Sequence, residues 1–237
     1  MTETIRLLSC AFPALNEEGN VGALLDEALS ELGSFADSFE IIVVDDGSRD
    51  ATADIVRTYA AEHEQVRLIS HPENLGYGHA LRSGLQHARG DAIALIDGDR
   101  QFRIADLGRL VEQLPGYDAV LGYRIKRADP WHRLVIARVY HAVLKATFGL
   151  HARDVDCGMK LYRREVIDRI FPELESRSAF ISPELVIRAR HAGFTRFGEV
   201  GVTHHPRVAG KPGGATARVI ARTLGEIFRL RRSLGRA

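Results

Sequence analysis

The stretch Ala92-Ile93-Ala94-Leu95-Ile96-Asp97-Gly98-Asp99-Arg100-Gln101 sets an unbroken apolar run directly against an acidic turn. A short apolar run closed by a turn signal reads as a strand buried on both faces, the kind found inside a parallel sheet. Working outward, Ile5 to Phe12, Glu40 to Val44, Val66 to Ser70 and Ala119 to Leu121 repeat the pattern. Helical spacing fills the gaps: Val21, Leu24, Leu25, Ala28 and Leu32 recur on one face, and Asp50 is placed to cap a helix carrying Ile55, Val56 and Tyr59. Strands alternating with helices predict an α/β fold, a mostly parallel central sheet flanked by helices. In such sheets ligands bind outside the carboxyl ends of the strands, so polar residues there are the first candidates for chemistry.

Past Leu121 the alternation weakens into a helical pattern over Val135 to Phe148, a polar loop, and a shorter helix from about Pro183 to Ala192. A second loop signal, Gly210-Lys211-Pro212-Gly213-Gly214, predicts a mobile segment before a last helix. A catalytic domain over 1–204 is expected, with a nucleotide-binding half to about 122 and an acceptor half after it, followed by the loop and a basic amphipathic helix over 205–237. With 237 residues, 45% hydrophobic, the chain is long enough to bury a sizeable core. A formal net charge of +1 gives no case for a nucleic-acid partner. Cys10 and Cys157 are too few for a disulfide framework, and a reducing cytoplasm is expected. Met1-Thr2-Glu3-Thr4 lacks a signal-peptide pattern, and Leu134 to Leu150 is interrupted by Arg138, His141 and Lys145, so neither is expected to enter a membrane.

Three groups fall at expected strand ends: Pro13-Ala14-Leu15-Asn16-Glu17-Glu18, Asp45-Asp46-Gly47-Ser48, and Asp97 to Gln101. Carboxylates after the first two strands suit a base and a ribose; helix capping and turn chemistry are the alternatives. In the third group, carboxylates two residues apart repel unless a cation lies between them. Hard oxygen ligands favour Mg2+ or Mn2+, with Asp97, Asp99 and the neutral oxygen of Gln101 as the metal set. A diphosphate is the natural third partner, and a solvated acidic turn is the alternative.

The spaced set PALNEE, DDGS, NLGYGHALRSG, DGDRQ and DVDCGMKLYRR resembles the family-2 inverting glycosyltransferases of the GT-A fold, closest to the dolichyl- and polyprenyl-phosphate sugar transferases. The likeness runs from about Ser9 to Lys211. It implies that Pro13, Leu15, Asn16, Glu17, Asp46 and Asp97 hold a nucleotide-diphosphate sugar, and that Asp97, Asp99 and Gln101 hold metal and diphosphate. Tyr77, between Gly76 and Gly78, stands where many members carry Lys.

The charge pattern bears on the acceptor. Asp99 is a catalytic candidate through the metal; a hydroxyl acceptor also needs a general base, for which Asp154 and Glu184 are the catalytic candidates, with a structural ion pair to a nearby Arg as the alternative for Asp154, whereas a phosphate monoester is already anionic and needs cations. Where hydroxyl-glycosylating members often place Glu-Asp, this chain has Glu184-Leu185. Arg124, Lys126, Arg127, Arg133, Arg207 and Lys211 suit an anionic lipid-phosphate acceptor, with Arg124, Arg133, Arg207 and Lys211 as its binding set and solvated surface cations as the alternative. His204 and His205 read as a strand end beside a loop. In the last helix Ile220, Leu224, Ile227 and Leu234 oppose Arg218, Arg222, Arg229, Arg232 and Arg236; such a helix either lies on an anionic membrane or packs on its own domain. A membrane partner protein is the other route to the lipid. The rival functions are transfer to a soluble hydroxyl acceptor and a non-catalytic nucleotide-sugar-binding module. A nucleotidyltransferase is disfavoured, because Pro13 to Glu18 occupies the place of a Gly-rich basic loop.

Overall fold

The structure, a computed structural model, describes residues 4–125, 131–207 and 217–235, excepting the side chains of 131–135 and 217–218. Its frame is a seven-stranded sheet in the order β3-β2-β1-β4-β6-β5-β7. The strands are β1 (Leu7–Ala14), β2 (Ser38–Asp45), β3 (Val66–Ser70), β4 (Ala92–Leu95), β5 (Ala119–Arg124), β6 (Lys160–Arg163) and β7 (Phe197–Val202). The helices are α1 (Val21–Glu31), α2 (Thr52–Glu62), α3 (Tyr77–His87), α4 (Ala105–Gln113), α5 (Trp131–Phe148), α6 (Arg164–Ile170), α7 (Ile181–His191) and α8 (Ala217–Leu234). β1 pairs in parallel with β2 and β4, β2 with β3, and β5 with β7, while β6 runs antiparallel to both β4 and β5.

The central strands are apolar throughout because both of their faces are covered. Along β2, Ile41 and Val43 point into one buried cluster with Val21, Leu24, Leu25 and Val56, whereas Ile42 and Val44 point into the other with Ala80, Leu81 and Leu85. β4 divides likewise, Ala92 and Ala94 to the first side and Ile93 and Leu95 to the second. The second cluster also takes Val166 and Ile167 of α6, Ile181 and Leu185 of α7, and Ile227 and Leu230 of α8. Both cysteines are buried free thiols.

The α/β reading stands, with three differences. β1 is displaced toward Ala14, and β6 was not anticipated at all. Lys-Leu-Tyr-Arg offers a single aliphatic residue, yet Lys160, Leu161 and Tyr162 are fully buried between β4 and β5. Asp50 acts one step outside the expected cap: α2 starts after Ala51, and the Asp50 Oδ1 accepts the Thr52 amide at 3.0 Å and also its hydroxyl. Lys126, Arg127, Lys211 and Arg236, the loop 210–214, and the side chains of Arg133 and Arg218 lie outside the described residues.

The order β3-β2-β1-β4 reverses direction between β1 and β4, which opens a crevice at their carboxyl ends. Two glycines allow the ends to close on each other. A Cβ on Gly98 would lie 2.6 Å from the Pro13 carbonyl oxygen, and one on Gly47, at φ 72°, would lie 2.4 Å from the Glu73 backbone. Only residues without a side chain admit those approaches.

Candidate active site

The first two loops are locked together. Asn16, in the left-handed region at φ 54°, donates its amide to the Ser48 hydroxyl at 2.8 Å, and its side-chain oxygen accepts the Arg49 amide at 2.9 Å. Asparagine tolerates that conformation better than most residues. The Glu17 amide is held by the Thr52 hydroxyl at 2.8 Å, which leaves the Glu17 carboxylate at the crevice. Pro13 closes onto Val44 within the sheet, while Leu15 is exposed.

Asp46 turns out to be scaffold. Its Oδ1 accepts from the Leu75 amide at 3.0 Å and bonds His71 Nδ1 at 2.7 Å, while its Oδ2 accepts from the Gly76 amide at 2.9 Å. This carboxylate is buried and anchors the loop that starts α3.

The acidic turn meets the crevice. Tyr77 donates its hydroxyl to Asp97 Oδ1 at 2.6 Å, and Gly158 packs so tightly against the same carboxylate that a Cβ would fall 1.9 Å from Oδ2. Burial, then the charge of Asp99, raises the Asp97 carboxyl above its usual range, against the Tyr77 bond and the charges of Lys160 and Arg124. Burial and the adjacent Asp97 charge push the Tyr77 phenol well above its ordinary value, so it serves as a donor. Beneath them lies the buried Lys160 ammonium, bonded to the Cys157 carbonyl and to Ser182 Oγ, its pKa lowered by burial.

Asp99 accepts the Gln101 amide on Oδ1 at 3.1 Å and Arg207 on Oδ2 at 2.9 Å. The same Arg207 nitrogen reaches Glu17 Oε1 at 3.1 Å, so one guanidinium bridges the first and third motifs. Burial lowers the Arg207 pKa, but the bond and charge of Asp99, with Glu17, raise it by more and hold the group above its ordinary value. Burial raises the Glu17 carboxyl despite its bond to Asn20 and the Arg207 charge. Gln101 donates its side-chain nitrogen to the His205 carbonyl at 3.0 Å and accepts the His205 amide on its own carbonyl at 2.8 Å, which lays 203–207 over the turn. His204 stacks edge-on against Phe102. Arg207, expected to serve the acceptor, instead bridges Glu17 and Asp99, residues of the expected donor and metal sets.

Both candidate bases outside the acidic turn are withdrawn. Asp154 is buried in a forked ion pair with Arg124, at 2.6 Å to Nε and 2.8 Å to an Nη. That pairing also removes Arg124 from the ready set of phosphate ligands. Glu184 is 1% exposed and accepts from the Glu175 amide, the Ser176 amide and Arg188 Nε at 3.0, 2.8 and 2.7 Å. All of these contacts are made within the protein, so Glu184 serves here as a brace for 175–176 and Arg188. Tyr77, Gly158, Lys160 and Ser182 were not singled out as site residues; the signal was the run NLGYGHALRSG with DVDCGMKLYRR, whose mutual contact no spacing discloses.

Residues 9–171 match the model of glycosyl transferase family 2. Over 180 residues the chain is 33% identical to an undecaprenyl-phosphate 4-deoxy-4-formamido-L-arabinose transferase of Aeromonas hydrophila, covering 75% of this chain and 55% of that protein. It is 32% identical over 231 residues to a dodecaprenyl-phosphate galacturonate synthase of Rhizobium johnstonii, covering 94% of this chain and 67% of that one. The chain thus spans little more than half of the first of these relatives. In fold it is similar to glucosyl-3-phosphoglycerate synthase from Mycobacterium tuberculosis, solved with Mn2+, UDP-glucose and phosphoglyceric acid, with a TM-score of 0.71 at 22% identity over 94% of this chain and 80% of that one. The α/β architecture is that of the GT-A glycosyltransferases. With the family model matched from the first strand through β6 and α6, a span that includes the acidic turn at the sheet's switch point, the chain belongs to glycosyl transferase family 2.

Proposed function

We propose that the chain is a metal-dependent inverting glycosyltransferase that moves a sugar from a nucleotide diphosphate donor to a polyprenyl or dolichyl phosphate. The observation that carries this reading is the pairing of Asp99 and Glu17 through Arg207 at the switch point, beside Asp97. Carboxylates from two strands already share one cation there, so the oxygen donors suit Mg2+ or Mn2+. Asp97, Asp99 and Gln101 would hold the ion. Bound there, it would supply positive charge to offset that of the departing nucleoside diphosphate. Asn16 and Glu17 shape the nucleotide wall, and the Arg207 guanidinium is within reach of phosphate oxygens entering the crevice.

The acceptor assignment draws on the relatives named above and on the ion pairs. With Asp154 and Glu184 enclosed, a phosphate monoester, which attacks as an anion without surrendering a proton, is favoured over a hydroxyl. On this reading the nucleotide half would span about 1–122 and the acceptor half about 123–204, with 205–237 as the loop and basic helix. No helix of the described residues is long and apolar enough to cross a membrane. A peripheral seat on the cytoplasmic face is supported by α8, where Ile220, Leu224 and Phe228 are 42%, 54% and 68% exposed beside Arg222, Arg229 and Arg232.

The test is nucleotide release from a panel of UDP- and GDP-sugars with Mn2+ or Mg2+, with and without a short polyprenyl phosphate. Release should require ion and lipid phosphate together, and Asp99→Ala should lower turnover at least ~100-fold, the scale of one lost electrostatic stabiliser. Full turnover in that variant, or equal release with EDTA, would refute the reading.

A further inference from the structure

One buried carboxylate has no part in the site just described. Glu226 lies on α8 at 3% exposure, on the side turned to the domain, flanked by the buried Ile227 and near Leu230. A buried carboxylate is costly to desolvate, so its partners matter. Its Oε1 accepts the Arg177 amide at 3.2 Å, and its Oε2 accepts the Ser178 hydroxyl.

The segment so gripped presses on the turn that starts α3. The Arg177 carbonyl accepts the Gly78 amide at 3.2 Å. A Cβ on Gly76 would lie 2.8 Å from the Arg177 oxygen, and one on Gly78 would lie 2.6 Å from the Ser176 oxygen. Gly76 sits at φ 100°, where other residues are strained. From the opposite side Asp46 Oδ2 holds the Gly76 amide at 2.9 Å. The turn is therefore wedged between Asp46 and the 176–178 backbone. Tyr77, the residue between the two glycines, is the one that donates to Asp97 Oδ1 at 2.6 Å.

We propose that Glu226 is a positioning residue for the donor site: through Arg177 and Ser178 it fixes the Gly76–Gly78 turn, and through Tyr77 it fixes the carboxylate of Asp97. The consequence for the donor rests on the function proposed above, whereas the mechanical link does not. Buried polar contacts pass a displacement on, because close-packed backbone has little room to absorb it. A surface helix at the far end of the chain thereby sets the geometry of a carboxylate at the end of β4.

The link is tested by a double-variant cycle. Dissociation constants for UDP and GDP in the presence of Mn2+ are measured by calorimetry on Glu226→Ala, Tyr77→Phe, both together, and Leu230→Ala. Each of the first two should weaken binding about tenfold, and the pair together should stay near tenfold, where independent sites would multiply to about a hundredfold. Leu230→Ala, which loosens the same helix without touching 177–178, should bind as the parent does. Glu226→Gln keeps one acceptor oxygen, should recover part of the loss, and serves if the alanine variant does not fold. Parental affinity in Glu226→Ala, multiplicative losses, or an equal loss in Leu230→Ala would each overturn the proposal. Should the parent bind neither nucleotide, the functional reading falls and amide exchange decides the link. Exchange at Gly76 to Ala80 should then be at least about tenfold faster in Glu226→Ala than in Leu230→Ala, and equal rates would overturn it.

Discussion

Asp97 has a single orientation because three neighbours leave it no other. Tyr77 holds one oxygen, Gly158 closes on the second, and Lys160 lies below. The burial that raises its carboxyl is the condition under which a cationic partner is most valuable, since charge interactions strengthen as water is excluded. Gly158→Ala should therefore act on function. The added methyl cannot share space with Oδ2, so Asp97 must turn and surrender the Tyr77 bond. A loss in kcat/KM of roughly tenfold to a hundredfold is expected, with a cooperative thermal transition retained. Parental kinetics in Gly158→Ala would show that the orientation of Asp97 is immaterial. Arg100 adds a local oddity: it takes φ 59° between Asp99 and Gln101, a conformation that costs a residue with a Cβ about 1 kcal/mol and persists only when its surroundings enforce it.

At the level of elements, α7 is the clearest reversal. Its sequence offered Glu184 as a base, and the helix uses it as a brace instead. The carboxylate pairs with Arg188 one turn on and caps the 175–176 amides, so segment 175–178 is held by α7 on one side and α8 on the other. Removing one member of a buried pair leaves the other charge uncompensated, at about 3–5 kcal/mol. Arg188 keeps Glu173 and Glu175 as partners, so Glu184→Gln should cost less than that in urea unfolding, about 1–3 kcal/mol. It should also leave the acid limb of the pH–rate profile in place, whereas removal of a general base would erase it. A stable variant lacking that limb would restore Glu184 to the chemistry.

Taken whole, the molecule gives α8 two stripes, one packed on the domain, which its sequence left open, and one exposed. Ile227 and Leu230 close the second core cluster, while Ile220, Leu224 and Phe228 stay exposed on the adjacent stripe. The two stripes predict separable effects. Leu230→Ala should cost about 2–5 kcal/mol, as buried leucines do. Leu224→Ser with Phe228→Ser should leave the thermal midpoint within a degree or so, since exposed side chains contribute little to stability. That pair should, however, reduce sedimentation with anionic liposomes. Unchanged sedimentation would remove the membrane from the account and leave the stripe without an occupant.

The reach of the sequence follows from what is local. Apolar runs of strand length, helical spacing and the polar groups that interrupt them were legible because each is set by neighbours within a few residues, and they gave the first five strands, the first four helices and all three strand-end motifs. The meeting of Asp97, Asp99 and Glu17 was legible too, because alternating strands and helices force those motifs to one edge. What was not legible was partner choice. Asp46, Asp154 and Glu184 are acidic residues beside motifs, like Asp97 and Asp99, yet the first is bound by loop amides and the other two by arginines 30 and 4 positions away. Likewise β6 is a strand because β4 and β5 flank it, with Lys160 buried in spite of its charge. Composition and spacing determine which groups arrive at the edge of the sheet. Only the packed chain decides which of them remain open to a ligand, because a carboxylate is equally satisfied by a metal, a guanidinium or a pair of backbone amides, and the choice belongs to whatever folding brings within 3 Å.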